Sequence, residues 1–334
     1  MTPVERPLVA VTDSVFPNLD AAGTVLSPIG AELRLAEGPT PDAILRAARS
    51  ADAILVTYAK ITADIIQQLT RCRIISRFGI GVDNVDLDAA TAKGIVVTKV
   101  PDYCVDEVSD HAMALLLAAV RKIPFSDARV HGGEWKMPSV VPIHRLRGTT
   151  LGLVGFGRIP QLVAPKARAF GMRVLASDPF VPAPVMEAAG VEPVTFDQLV
   201  ERSDYISIHA PLTPQTRHLF DAGVFRRMKP TAYLVNTARG PLVDEAALVE
   251  ALTAGRIAGA ALDVVEQEPP APGSPLLACR NLILTPHTGF YSDESLVELQ
   301  TKAAEEVVRV LGGQSPRNPV NPEVLTSVNI TQAR

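Results

Sequence analysis

The 334-residue chain predicts an α/β protein built as two lobes, each a doubly wound parallel sheet. Two observations carry this. Short apolar runs alternate with amphipathic stretches along the whole chain, the order in which buried strands and covering helices follow one another in parallel sheets. The length exceeds what one ordinary core fills and suits two. A composition of 47% hydrophobic and 20% charged residues is that of a globular chain, not a disordered one.

In the first hundred residues "LVAVTD", "AILVT", "RIISRF" and "GIVVTKV" read as buried strands. "PDAILRAARS", "TADIIQQLT" and "DLDAATAKG" read as helices, each with a capping residue or a closing Gly or charge. A long helix follows "VPDYC", from Val105 to Lys122, and the polar, Gly-containing "HGGEWKMPSVVPIHRLRG" reads as a surface excursion. From Thr149 the pattern repeats, with "TLGLVGFG", "RVLASD", "YISIHA", "AYLVNTA", "AGAALDV" and "LILTPH" as strands. A last helix, "SLVELQTKAAEEVVRVLGG", precedes a Pro- and Asn-rich tail. The expected domains are residues 102–287 and a discontinuous partner, 1–101 plus 288–334, which the last helix completes. Such a chain crosses twice between lobes and leaves a cleft in which a substrate can be enclosed.

Several classes of function drop out. A net charge of −4 gives no reason to expect nucleic acid or an anionic membrane as partner. Cys72, Cys104 and Cys279 show no CxxC spacing and read as reduced thiols in a cytoplasmic protein, with no metal site expected. "MTPVERPLVAVTD" reads as a first strand, not a signal peptide, and "HAMALLLAAV" is too short to span a bilayer. No HExxH, GxSxG or Walker loop is present.

One loop points to a dinucleotide. "LGLVGFGRIP" places Gly155 and Gly157 at the first two glycines of G-x-G-x-x-G, with Pro160 at the third. It follows a strand and opens the helix "RIPQLVAPKARAFG", after which "MRVLASD" ends at Asp178. An acidic residue there accepts hydrogen bonds from a ribose diol and repels a 2′-phosphate, so a Rossmann NAD site is predicted, with NADP disfavoured. Proline in a first helical turn gives up only an N–H that has no intrahelical partner. The amides of Arg158 and Ile159 remain for the pyrophosphate.

Three segments at predicted strand ends carry chemistry: "VNTARG" with Arg239, "ALDVVEQEPP" with Asp263 and Glu268, and "LTPHTG" with His287. Loops at the carboxyl ends of parallel strands line the ligand crevice of such sheets. Together with "GVDNVDLDAATAKGI", "VPDYCVDEVSDHA", "LRGTTLGLVGFGRI", "HAPLTPQT", "NTARGPLVDEAAL" and "TPHTGFYS", they resemble the D-isomer-specific 2-hydroxyacid dehydrogenase family over nearly the whole length. The resemblance implies a Rossmann NAD-binding domain, a flavodoxin-like substrate-binding domain and a homodimer. It implies hydride transfer between NAD(H) and C2 of a small D-2-hydroxy or 2-keto acid.

The implied roles fit the residue types. Arg239 offers a planar fork of donors to the substrate's carboxylate and carbonyl. His287 donates or accepts the proton near neutrality, and Glu268 favours its imidazolium form. Asp263 matches the family's contact to the nicotinamide amide. His209, Ala210, Pro211, Thr216, Thr237, Ala238 and Gly289 match cofactor positions, beside Gly155, Gly157, Arg158, Ile159 and Asp178. In the first lobe the amides of Ile80 and Gly81 match a carboxylate-binding loop, where Gly79 and Gly81 permit close approach.

His111 and His144 read as structural or interface residues. Two positions depart from the family pattern. Gly289 stands where Ala is commoner, and Lys99 where many relatives carry Asn. Lys99 either adds charge near the cleft, which points to a larger or more acidic substrate, or faces water.

"VPDYCVDEV" and "HRLRG" look most like the branch that includes C-terminal binding proteins. The alternative function is therefore an NAD(H)-responsive, corepressor-like binding module with little turnover; the intact Arg–Glu–His set favours the enzyme. Glu268 disfavours formate dehydrogenase, whose pattern pairs the histidine with Gln. Glyoxylate, hydroxypyruvate, pyruvate and sugar-derived keto acids all suit a site that grips a carboxylate and a carbonyl.

Overall fold

A computed structural model describes residues 6–327. In chain order the elements begin with β1 (Leu8–Val11), α1 (Asp20–Leu26), β2 (Glu32–Leu35), α2 (Pro41–Ala48), β3 (Ala53–Val56), α3 (Ala63–Gln68), β4 (Ile74–Arg77), α4 (Leu87–Ala92) and β5 (Val96–Thr98). There follow α5 (Val105–Val120), α6 (Ile123–His131), β6 (Thr150–Val154), α7 (Arg158–Ala169), β7 (Arg173–Ser177), α8 (Ala183–Ala188), β8 (Glu192–Pro193), α9 (Phe196–Arg202) and β9 (Tyr205–Ile208). The chain continues through α10 (Ala222–Arg227), β10 (Tyr233–Asn236), α11 (Glu245–Thr253), β11 (Gly259–Leu262), β12 (Leu282–Leu284), α12 (Asp293–Leu311) and α13 (Glu323–Ser327).

The chain divides into two compact units, residues 1–103 with 292–334, and residues 104–291. The first holds a parallel five-stranded sheet of order β2-β1-β3-β4-β5, the flavodoxin-like order. Its central strands are apolar runs because both faces are covered; Ala53–Val56 is wholly buried. Helix α12 belongs to this unit. Ser76 Oγ at the sheet donates to Ala303 O at 3.0 Å, and Gln300 Nε2 donates to Asn18 O at 3.1 Å beside α1. The buried Glu306 is satisfied by the amides of Arg317 and Asn318, at 2.8 and 3.0 Å.

The second unit holds a parallel seven-stranded sheet of order β12-β11-β10-β9-β6-β7-β8. This is the Rossmann order with one added strand, and its switch point lies between β6 and β9. Successive side chains alternate between two cores. Leu234, Ala260 and Leu262 pack with α9, α10 and α11. Val235, Ala261 and Leu153 pack with α5 and α7.

The expected strands are all present, and the structure adds elements the pattern did not disclose. β2, "ELRL", is a largely exposed edge strand with no apolar run. α1 and α6 are further additions, as is the two-residue β8. The long helix stops at Val120, two residues short of the expected Lys122, because Lys122 adopts φ 53° and turns the chain into α6. α7 runs through Pro165, which removes one helical N–H without ending the helix.

Candidate functional site

In the second unit six of the seven strands, all but β8, release a candidate site segment at their carboxyl ends. β6 gives way to Gly155, whose φ of +93° suits glycine, and a Cβ there would lie 3.1 Å from the His209 carbonyl and the Ala210 amide. The two loops that part at the switch point therefore touch through this glycine. Gly157 caps α7 and has open space where a Cβ would stand. Arg158 and Ile159 are the first two helical residues, and Pro160 is buried against the core in the same turn. The helix start thus keeps the form that receives a pyrophosphate, with Pro160 as packing.

Asp178 follows β7 directly. Its Oδ2 accepts from the Phe156 amide at 2.7 Å, and its Oδ1 from the amides of Phe180 and Val181 at 2.8 and 3.2 Å. The carboxylate thereby fixes the glycine loop as well as its own turn. At the end of β10 the Thr237 hydroxyl is enclosed yet has no hydrogen-bond partner. An enclosed hydroxyl, a glycine at the loop crossing and an open helix start fit a nucleotide cofactor. Thr216 is different. Its hydroxyl bonds to Pro211 O at 2.7 Å and to the Thr213 amide at 2.8 Å, so it closes its own loop.

His209 ends β9, with Nε2 2.9 Å from Ser207 Oγ. Burial of its imidazole pushes the pKa down to about 3. An unfolded histidine titrates near 6.5, so the unfolded chain gains a proton below that pH while the folded one does not. The stability of the neutral ring is thus fully present above about pH 6.5 and is lost progressively toward pH 3. Urea unfolding at pH 7 and pH 5 should show wild type losing about 1–2 kcal/mol more than His209→Gln over that interval. Equal losses would remove this account.

Arg239 lies half-buried after β10, and its Nη1 donates to Ala238 O at 2.7 Å. Its turn is held by the fully buried Asn236, which donates to Arg239 O at 2.8 Å and accepts from the Ala238 amide at 3.0 Å. The next residue must be glycine, since a Cβ on Gly240 would stand 1.9 Å from Val265 O.

Glu268 Oε2 is 2.6 Å from His287 Nδ1, and its Oε1 accepts from the Val265 amide at 3.2 Å. The Glu268 segment is pinned to α11 by a reciprocal pair. The Glu245 amide donates to Glu266 Oε1 at 3.0 Å, and the Glu266 amide donates to Glu245 Oε1. His287 adopts φ 53°, and its amide reaches the carbonyls of Asp263 and Thr285 at 2.9 and 3.0 Å.

Asp263, 3% exposed, ties this turn together. Oδ1 accepts from Thr285 Oγ1 at 2.5 Å and from the Thr288 amide at 2.9 Å, and Oδ2 from the Gly289 amide at 2.8 Å. His111 Nε2 stands 3.3 Å from Oδ1. Burial pushes the carboxyl pKa up, but the bonds from His111, Thr285, Thr288 and Gly289 outweigh it and bring it down to about 2.

In the first unit, Ile80 and Gly81 follow β4 in a half-buried loop. Asn84 Nδ2 donates to Thr57 O and Ala59 O at 3.1 and 2.9 Å, joining this loop to the one after β3. Lys99 is half-buried, and the next amide, of Val100, donates to Gly79 O at 3.0 Å. Among the described residues no group of three His, Cys, Asp or Glu could hold a metal, and no helix is long and apolar enough to cross a membrane.

Residues 113–289 match the family model "D-isomer specific 2-hydroxyacid dehydrogenase, NAD binding domain". A D-3-phosphoglycerate dehydrogenase of Methanocaldococcus jannaschii is 42% identical over 94% of this chain. The chain belongs to the D-isomer-specific 2-hydroxyacid dehydrogenase family.

It spans 59% of the length of that relative. A glyoxylate reductase of Korarchaeum cryptofilum is 40% identical over 86% of the chain and 88% of its own length. Among solved structures, a Thermus thermophilus protein superposes with TM-score 0.86 at 37% identity, covering 94% of this chain and 99% of its own. A D-lactate dehydrogenase of Aquifex aeolicus in complex with NAD and lactic acid gives 0.83 at 29%, covering 97% and 100%. An NADPH-dependent glyoxylate/hydroxypyruvate reductase of Sinorhizobium meliloti, in complex with NADP and malonate, gives 0.83 at 31%, covering 95% and 97%.

The family motifs led to Arg239, Glu268, His287 and Asp263. The same family-like segments contain Asn236, Thr285 and His111, of which no site role was expected, and these hold those residues in place. Asn236 carried a faint signal as a polar residue ending an apolar strand. His111 lies within the family-like segment "VPDYCVDEVSDHA"; expected as a structural or interface residue, it stands beside Asp263.

Proposed function

We propose that the chain is a dehydrogenase or reductase that interconverts a small D-2-hydroxy acid and its 2-keto acid, using NAD(H) in preference to NADP(H). The observation that carries this reading is the 2.6 Å pair between Glu268 and His287 Nδ1. It holds the ring through one nitrogen and assigns the substrate's proton to the other, Nε2. The family's named relatives are dehydrogenases and reductases, and nothing favours the corepressor-like alternative.

Gly155, Gly157, Arg158, Ile159, Asp178, His209, Ala210, Pro211, Thr237, Ala238, Asp263 and Gly289 would hold the cofactor, with Thr216 shaping the loop. When bound, NADH supplies a hydride to C2 of the keto acid. Arg239 binds the carboxylate and polarises the carbonyl. The amides of Ile80 and Gly81 give the carboxylate a second grip. Protonated His287 gives its Nε2 proton to the oxygen on C2, and neutral His287 takes it back in the reverse direction. Glu268, 2.6 Å from Nδ1, fixes the ring. In this reading residues 104–291 bind the cofactor and the first unit binds the substrate. Cys72, Cys104 and Cys279 form no disulfide with one another, which suits a reducing cytoplasm.

A panel of glyoxylate, hydroxypyruvate, pyruvate and sugar-derived keto acids with NADH and NADPH tests the function; no turnover with any would sink it. The cofactor preference rests on Asp178, whose charge opposes a 2′-phosphate. Asp178→Asn keeps an acceptor for the loop amides and removes the charge. It should lower the NADH-over-NADPH ratio of kcat/KM by about tenfold or more. An unchanged ratio contradicts the assignment.

We further propose a homodimer through the second unit. Residues 123–141 expose Ile123, Phe125, Val130, Trp135 and Met137, with Trp135 at 87%. Beside them a cavity of about 710 Å³ is lined by Phe125, His144, Tyr233 and Leu282. Sedimentation should give twice the chain mass for wild type, and the chain mass for a Phe125→Asp, Trp135→Asp double variant.

A further inference from the structure

We infer that His111 is a positioning residue for the hydride-transfer reaction, acting through Thr285 and Asp263 on the turn that carries His287. The inference rests on the function proposed above and gives a role to a residue for which the family resemblance implied none.

His111 lies on α5, among residues that serve the core beneath the sheet. A histidine used only for packing has no need of an ordered Nε2. Here Nε2 is 3.0 Å from Thr285 Oγ1 and 3.3 Å from Asp263 Oδ1. The chemistry fixes the direction of each bond. Asp263 is held as a carboxylate and only accepts, so the Thr285 hydroxyl, 2.5 Å away, donates to it. The oxygen lone pair left on Thr285 then accepts, and His111 Nε2 carries the hydrogen. The chain of bonds therefore runs from α5 through a hydroxyl to Asp263.

From Asp263 it reaches the catalytic turn by three routes. The carboxylate takes the amides of Thr288 and Gly289, and the Asp263 carbonyl takes the amide of His287. These bonds hold His287 at a φ of 53°, a conformation that non-glycine residues adopt only when their surroundings impose it. Glu268 grips the same residue by its ring. His287 is thus held twice, by its side chain from Glu268 and by its backbone from Asp263.

The fit around His111 is close. A Cβ at residue 289 would stand 2.8 Å from Asp263 Oδ2 and 3.2 Å from His111 Cδ2. Glycine at this position leaves room for an imidazole and a carboxylate side by side.

His111→Leu keeps bulk and removes the donor, whereas His111→Gln supplies an amide N–H of similar reach. We expect His111→Leu to lower kcat by about 10- to 100-fold, since small misplacements of a reacting group cost this much. KM and the NADH dissociation constant should stay within about threefold. His111→Gln should recover most of the loss. The effect should be non-additive with Thr285→Val, because both variants break the same chain of bonds.

A second readout needs neither turnover nor cofactor. In protein with 13C-labelled histidine rings, the His287 resonances should move in His111→Leu and return in His111→Gln. Unmoved His287 resonances overturn the inference, as does a kcat within twofold of wild type. A kcat loss that follows a lowered melting temperature, and that glutamine does not restore, overturns it too. If wild type reduces no 2-keto acid, the proposed function fails, while the resonances still report whether His111 governs the turn.

Discussion

Replacing His287 with asparagine is expected to lower kcat for keto-acid reduction about 10²- to 10⁴-fold, the range in which a positioned acid contributes to catalysis. NADH affinity should change little, because the dinucleotide loop, Asp178 and Thr237 lie on other strands of the sheet. Asparagine also tolerates a left-handed backbone better than most residues, so the turn at φ 53° survives the exchange. The loss should therefore appear in kcat with the fold intact. Rapid-mixing measurements of NADH oxidation, with melting temperature and NADH fluorescence titration as controls, check this. Activity within threefold of wild type would take His287 out of the reaction.

Arg239→Lys is the second large effect expected, a fall in kcat/KM of about a hundredfold or more. Lysine keeps the charge but presents a point donor, whereas a carboxylate beside a carbonyl asks for two parallel N–H groups. The loss should exceed that of a simple surface ion pair, worth about 1 kcal/mol or less. Asn236 and the absence of room at Gly240 keep the backbone of residue 239 in place, so the change tests the guanidinium alone. Arg239→Ala should be partly rescued by added guanidinium ion. Steady-state kinetics over a range of keto-acid concentrations decides it: an unchanged kcat/KM in Arg239→Lys would assign the residue to structure.

The second unit's candidate site was legible in the sequence because its parts sit where local patterns end. Arg239, Asp263 and His287 each follow an apolar strand closely, so periodicity placed their segments at strand ends, and the family resemblance supplied the roles expected of them. The strands were legible for a related reason, since burial on both faces writes continuous apolar runs such as Ala53–Val56. What escaped notice lacked such a mark. Strand β2 is an edge with mixed polarity, and its pairing with β1 is decided by the neighbouring strand. His111 and Thr285 are 174 residues apart, and no local pattern reports a bond made only by folding.

The first unit is assembled from both ends of the chain, and this bears on how the protein is made. During translation β1 to β5 emerge first, while α12, whose Ala303 carbonyl meets Ser76, comes only after residues 104–291 have been synthesised. At ribosomal speeds that interval is on the order of 10–40 seconds. Throughout it the sheet's apolar face waits uncovered for its last helix, while the contiguous second unit is free to complete its own core. The nascent amino-terminal strands are thus where a chaperone would be needed.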